Sequence, residues 1–219
     1  MNKSAWVIIP AYNEASRIKP VITEAKKHVK NVVVVDDGSS DNTVAVAESA
    51  GVTVLKHALN LGKGGALRTG CDYAITNNAA ILIAIDADGQ HEPSEIPHFL
   101  EKLEHNDIIF GYRALSGQMP LIFRFGNAII NGIIRVLYGI KLKDTQCGYR
   151  AFTADAYKKI RWNSLDYSLE SEMIANVGKH KLKYTEHRIK TIYADRYKGT
   201  TVLDGIKIVL NMIIWRLRK

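Results

Sequence analysis

The 219-residue sequence predicts an α/β sandwich on a mostly parallel central sheet, followed by C-terminal amphipathic helices. Near-continuous apolar runs rich in Val, Ile and Ala alternate with segments of helix length, the pattern of strands buried on both faces. Three of these runs break abruptly into polar clusters: "PAYNE" (Pro10 to Glu14), "DDGS" (Asp36 to Ser39) and "DADGQ" (Asp86 to Gln90). Ligands of open parallel sheets bind outside the carboxyl ends of the strands, so these clusters are expected to converge on one crevice.

In chain order, "AWVIIP" reads as a strand and residues 15–30 as a helix; "NVVVVDD" is followed by a helix over 41–50. "VTVLKH", a helix over 62–76, "AILIAID", a helix over 93–105 and "DIIFGY" complete the first 115 residues. The punctuation agrees: Ser40 or Asp41 can cap the second helix, Gly51 ends it, and Pro93 suits a first helical turn. Beyond Tyr112, "LIFRFGNAIINGIIRVLYGIKL" reads as an amphipathic helix or helix pair, 168–179 as a helix, and "KLKYTEHRIKTIYA" as a more exposed strand. The closing "VLDGIKIVLNMIIWRLRK" is too short to span a bilayer and suits a helix in an interface. Packing of both apolar helices on the sheet, or between subunits, is the alternative.

A formal net charge of +8 favours anionic partners. Nucleic acid is disfavoured, because the cations are scattered among acidic strand ends and no nucleic-acid module is evident. Cys71 and Cys147 form no C-x-x-C pair, which argues against a disulfide framework or zinc cluster and for a reducing compartment. The opening "MNKSAWVIIPAYNE" lacks the features of a signal peptide.

Asp86 and Asp88, two apart at a strand end, share a side if strand geometry persists, and Gln90 extends it. Two carboxylates and an amide oxygen are hard ligands suited to Mg2+ or Mn2+. The loop "NLGKGGALRTG" matches neither standard phosphate-binding glycine pattern, yet it brings backbone N–H groups to a helix start with Lys63 and Arg68 nearby. It is a phosphate cradle or only a tight connection.

The ordered motifs "PAYNE", "VVDDGSSDNT", "NLGKGGALRTG" and "DADGQH" resemble the family 2 glycosyltransferases of the GT-A fold. "GKGGALRTG" and "DTQCGYRAF" are most similar to the dolichyl- and polyprenyl-phosphate glucosyltransferases. The resemblance implies a single domain over 1–219, with a nucleotide-sugar-binding half (1–115) and an acceptor-binding half (116–219). It implies an inverting, metal-dependent transfer of a hexose, glucose from UDP-glucose being favoured over mannose from GDP-mannose, to a polyprenyl or dolichyl phosphate. Pro10, Tyr12 and Glu14 would contact base and ribose, with Asp37 near the base and Lys63 at the donor. Asp86 would touch the donor and the metal, while Asp88 and Gln90 ligate the cation. His91 either touches the site or caps the next helix.

A hydroxyl acceptor needs a carboxylate base, for which Glu170 and Glu172 are the candidates, unless they only orient neighbouring cations. A phosphate acceptor, with a second pKa of about 6, needs cations instead. By the resemblance, Arg113 and Arg124 match acceptor-phosphate positions and Arg196 a diphosphate-contacting arginine, with Lys198 substituting for a lysine that would fall at Val202. Asp144 and Arg150 are expected as a buried ion pair. The resemblance further implies a peripheral position at the inner, cytoplasmic face of a membrane; a homo-oligomer remains open.

Overall fold

The computed structural model describes residues 4–113, 121–166, 168–190 and 202–217, side chains excepted at 121–128, 202–206 and 217. Seven strands form one sheet: β1 (Ala5–Ala11), β2 (Asn31–Asp36), β3 (Thr53–Lys56), β4 (Ile81–Ala84), β5 (Ile108–Arg113), β6 (Arg150–Thr153) and β7 (Tyr184–Ile189). Their order is β3-β2-β1-β4-β6-β5-β7, and every pairing is parallel except those of β6 with β4 and β5. The eight α-helices of the described residues are α1 (Ile18–His28), α2 (Thr43–Ser49), α3 (Lys63–Thr76), α4 (Ile96–Lys102), α5 (Leu121–Tyr138), α6 (Ala154–Ile160), α7 (Leu169–Lys179) and α8 (Val202–Leu217).

The period of two along each strand divides the core. Val7, Ile9, Val32 and Val34 face α1, α2 and α4, whereas Ile8 and Val33 face α3 and the helices of the second half. All six are at most 5% exposed, and each fully buried aliphatic side chain contributes about 1.5–3 kcal/mol. Helix α3 sits unusually close to the sheet: a Cβ on Gly70 would lie 2.4 Å from Ile8 Cγ2.

The expected local punctuation is present around α2. Asp41 Oδ1 accepts from Thr43 N–H at 2.9 Å, one residue before the formal N-cap Asn42, and Gly51 follows the helix with φ +67°. The stretch after Tyr112 contains one long helix, and β7 is the more exposed strand the alternation implies, lying at an edge of the sheet. Strand β6 and helix α6 lie outside the sequence expectation. Thr153 joins them, its Oγ1 capping α6 by accepting from Ala156 N–H at 3.1 Å.

Both apolar helices of the second half pack on the core, through Ile130 and Ile134 of α5 and Ile208 and Met212 of α8. Each keeps an apolar face outward as well: Ile129 and Val136 on α5, and Leu210, Ile213 and Ile214 on α8, are 44–83% exposed. Among the described residues no helix is long and apolar enough to cross a membrane.

Candidate active site

The three polar clusters converge as expected, because β2, β1 and β4 are parallel neighbours. Ala11 lies opposite Asp36, and the loops leaving these strands are laced together. Asn13 N–H donates to Ser39 Oγ at 2.9 Å, Ser40 N–H to Asn13 Oδ1 at 2.9 Å, and Glu14 N–H to Thr43 Oγ1 at 2.8 Å. Within "PAYNE", Pro10 is buried in β1, the Glu14 carboxylate meets Arg17 at 2.6 Å, and Tyr12 is 47% exposed.

The glycine loop binds protein through its amides. Asp37 accepts from Leu61 N–H at 2.9 Å and Gly62 N–H at 2.8 Å, and its Oδ1 is 2.8 Å from His57 Nδ1. The Gly64 N–H donates to Leu165 O at 2.8 Å. The 61, 62 and 64 amides are therefore committed within the protein rather than free to cradle a phosphate. The glycines serve a close backbone approach instead, since a Cβ on Gly62 or Gly64 would lie 2.3 Å from Leu165 O or 2.2 Å from Ser164 O. Asp37, expected near a base, is 3% exposed and holds the turn into α3.

Lys63, the first residue of α3, projects to the end of β4. Its Nζ lies 2.8 Å from Asp86 Oδ1 and 3.1 Å from Glu170 Oε1. Burial alone would lower its pKa, but the two carboxylates outweigh burial and hold the ammonium above the ordinary lysine range. Asp86 is likewise raised by burial but pulled below the usual aspartate range by Lys63, His91 and Arg113. Asp88 moves the other way: burial and the charge of Asp86 hold it above that range, although its Oδ1 accepts from Gln90 N–H at 3.0 Å.

His91 turns inward, 4% exposed, with Nδ1 3.7 Å from Asp86 Oδ2 and Nε2 4.0 Å from Cys147 Sγ, and burial lowers its pKa. It does not cap the short 3-10 helix that follows (Pro93–Glu95), whose N-cap position, Glu92, makes no side-chain capping hydrogen bond. Gly148 is a site residue with no obvious signal in the sequence. A Cβ there would stand 2.6 Å from Asp86 Oδ2 and 2.7 Å from Lys63 Nζ, so the "DTQCGYR" backbone packs directly on this pair.

A divalent cation suits this donor set. Two carboxylates stand two residues apart, and the ionisation of one is resisted by the other, a repulsion that added positive charge relieves. No group of three or more His, Cys, Asp or Glu among the described residues forms a metal cage. Such a cation would therefore depend on Gln90, water and substrate oxygens for its remaining positions.

At the end of β5, Arg113 is gripped by Asp144: Nε donates to Oδ2 at 2.7 Å and Nη2 to Oδ1 at 3.1 Å. The expected Asp144–Arg150 pair is not formed. Arg150, 1% exposed, spends its guanidinium on the carbonyls of Cys147, Thr145 and Glu170 at 2.9–3.0 Å, because the start of β6 buries it between the loop that precedes it and the first turn of α7. Glu172 accepts from Asn163 N–H at 3.0 Å, Ser164 N–H at 2.8 Å and Ser164 Oγ at 2.5 Å. The side chain of Arg124, and all of Arg196 and Lys198, lie outside the described residues.

The layered sheet and the acid-tipped β4 place the molecule among glycosyltransferases of the GT-A type. Residues 6–161 match the family described as glycosyl transferase family 2, and the chain belongs to that family. It is 32% identical to a UDP-N-acetylglucosamine–dolichyl-phosphate N-acetylglucosaminyltransferase of Methanococcus voltae, over 100% of this chain and 98% of that one. It is 27% identical to an undecaprenyl-phosphate mannosyltransferase of Micrococcus luteus, over 96% and 93% of the two chains. Glucosyl-3-phosphoglycerate synthase of Mycobacterium tuberculosis, crystallised with Mn2+, UDP and glucosyl-3-phosphoglycerate, shares the fold with a TM-score of 0.74 at 18% identity, covering 98% of this chain and 80% of that one.

Proposed function

We propose that this glycosyltransferase moves a hexose from a nucleotide sugar, a UDP-sugar by preference, onto a polyprenyl or dolichyl phosphate at a membrane surface, with inversion and with Mg2+ or Mn2+. The observation that carries the acceptor is the fate of the carboxylates in the second half. Asp144 holds Arg113; of the two base candidates, Glu172 is committed to the 163–164 backbone, while Glu170 meets Lys63 through Oε1 and its buried Oε2 has no hydrogen-bond partner among the described residues. Transfer to a hydroxyl needs a base, whereas a phosphate monoester needs a cation to receive it, and Asp144 fixes one there. The names of the Methanococcus and Micrococcus relatives support the same acceptor class.

On the donor side, Tyr12 lies accessible beside the β1–β2 crevice for stacking or ribose contact, while Asp86, Asp88 and Gln90 would hold the cation. When bound, the cation neutralises charge developing on the departing diphosphate. Lys63 balances Asp86, and Arg113 adds positive charge near the reacting phosphate, where such charges act strongly in a site screened from water. Arg124 and Arg196 are further proposed contacts, to acceptor phosphate and donor diphosphate respectively. The outward faces of α5 and α8 supply apolar surface that lipid would cover, supporting peripheral association.

Glucose is the sugar implied by motif resemblance, and N-acetylglucosamine is named in the Methanococcus relative. Purified protein with Mn2+ and a short polyprenyl phosphate should therefore be offered labelled UDP-glucose, UDP-N-acetylglucosamine and GDP-mannose. Lipid-extractable label from one donor is the expected result; label on a sugar or protein hydroxyl alone overturns the acceptor.

A further inference from the structure

Glu172 was a candidate base from its sequence position, yet its carboxylate, 7% exposed, receives three hydrogen bonds from Asn163 and Ser164. The segment it fastens lies against the start of α3. Trp162 Nε1 donates to Gly64 O at 2.9 Å, Leu165 O accepts from Gly64 N–H at 2.8 Å, and the contact is so close that a Cβ on Gly64 would stand 2.2 Å from Ser164 O. Between the two glycines of this seam stands Lys63, the residue that reaches Asp86.

We propose that Glu172 is a positioning residue for the donor site: by fastening residues 163–165 it fixes the first turn of α3, and through that turn the Lys63 ammonium against Asp86. A lysine has four side-chain torsions, so the place its ammonium occupies depends on where its backbone is held. At the far end, Asp37 grips the Leu61 and Gly62 amides from the sheet side. The first turn is therefore pinned from two directions, and without the Glu172 bonds the 163–165 segment that forms one of them is held less firmly. The inference rests on the reading of Lys63 and Asp86 as donor-site residues.

The test is a pair of double-mutant cycles on affinity for UDP and GDP in the presence of Mn2+, measured by titration calorimetry. Glu172→Gln should weaken binding about tenfold and Lys63→Met at least as much, and the double variant should bind no more weakly than Lys63→Met alone. Ser164→Ala removes one bond and no charge, so its cycle with Lys63→Met separates positioning from the field of the Glu172 carboxylate; about threefold weakening that vanishes without Lys63 is expected. It also keeps the test alive if Glu172→Gln does not fold. Additive cycles, or unchanged affinity in Glu172→Gln, overturn the proposal while leaving the donor reading intact. Wild-type protein that binds neither nucleotide overturns that reading and this inference together. Full nucleotide affinity in Glu172→Gln with lost turnover points to the base role instead and likewise sinks the positioning role.

Discussion

The acidic side chains around the site fall into two sets that behave differently. At the end of β4, Asp86 and Asp88 crowd each other, one drawn down by Lys63 and the other pushed up by burial and its neighbour. Across the crevice, Asp144, Glu170 and Glu172 each meet a cation or backbone donors supplied by the protein itself. Charge left in mutual conflict costs stability and is tolerated where a ligand relieves it; charge already satisfied builds structure. Asp88 is thus the carboxylate left in conflict, whereas Asp86, Asp144, Glu170 and Glu172 each meet a partner within the protein.

The sharpest way to break this contrast is Asp88→Ala. If Asp88 exists for a cation, the change should lower transfer by about 10³-fold, in line with removal of one strong electrostatic contact, and abolish the Mn2+-dependent rise in melting temperature caused by UDP. The fold should gain stability, since a carboxylate held against burial and Asp86 is removed. A variant that turns over normally would place the cation elsewhere.

Next in size is Arg113→Ala, expected to lower kcat/KM for the lipid phosphate about 100-fold with little change in donor affinity. Asp144→Asn should reproduce part of that loss, because the two-point grip at 2.7 and 3.1 Å would weaken on one side. Glu170→Gln separates the acceptor classes: a small effect on transfer fits a partner of Lys63, and loss of turnover with donor and acceptor affinity intact fits a base.

This division also explains what the sequence disclosed. The strand ends were legible because a parallel sheet forces "PAYNE", "DDGS" and "DADGQ" to one edge whatever the loops do. Strand β6 was not, since its four residues, "RAFT", have too little length for a period and run against both neighbours. The fate of Asp144 turned on Arg113, 31 residues away, and that of the glycine loop on Leu165, 101 residues beyond Gly64, separations that no local pattern encodes. Gly148 looked like any turn glycine, although a Cβ there would strike both Asp86 and Lys63.

The outward faces of the second half carry a milder prediction. Ile213→Glu combined with Ile214→Glu alters residues that are each 44% exposed, so folding should be nearly unaffected. Sedimentation with vesicles containing anionic lipid should fall several-fold, and transfer to a vesicle-borne acceptor with it, while transfer to a short, water-soluble polyprenyl phosphate is retained. Equal loss with both acceptors would move these isoleucines from the lipid surface into the frame of the site.

The smallest effect is expected where the halves are joined away from the site. Asp72 of α3 receives the Tyr157 hydroxyl at 2.6 Å and the Arg161 guanidinium at 2.6 Å, both from the second half. Burial would raise this carboxyl, but those hydrogen bonds outweigh burial and hold it below the ordinary 3.8. A depressed folded-state pKa means the unfolded chain binds the proton more readily, so the contribution is complete above 3.8 and fades as pH falls through the folded value. With the Arg161 and Asp72 side chains 48% and 44% exposed, solvent screening limits the pair to under about 1 kcal/mol at neutral pH. Urea titrations of wild type and Asp72→Asn should therefore differ slightly at pH 7 and converge toward pH 3. A gap that widens on acidification would show the carboxyl is favoured in its protonated form, and would put Asp72 with Asp88 rather than with the satisfied acids of the frame.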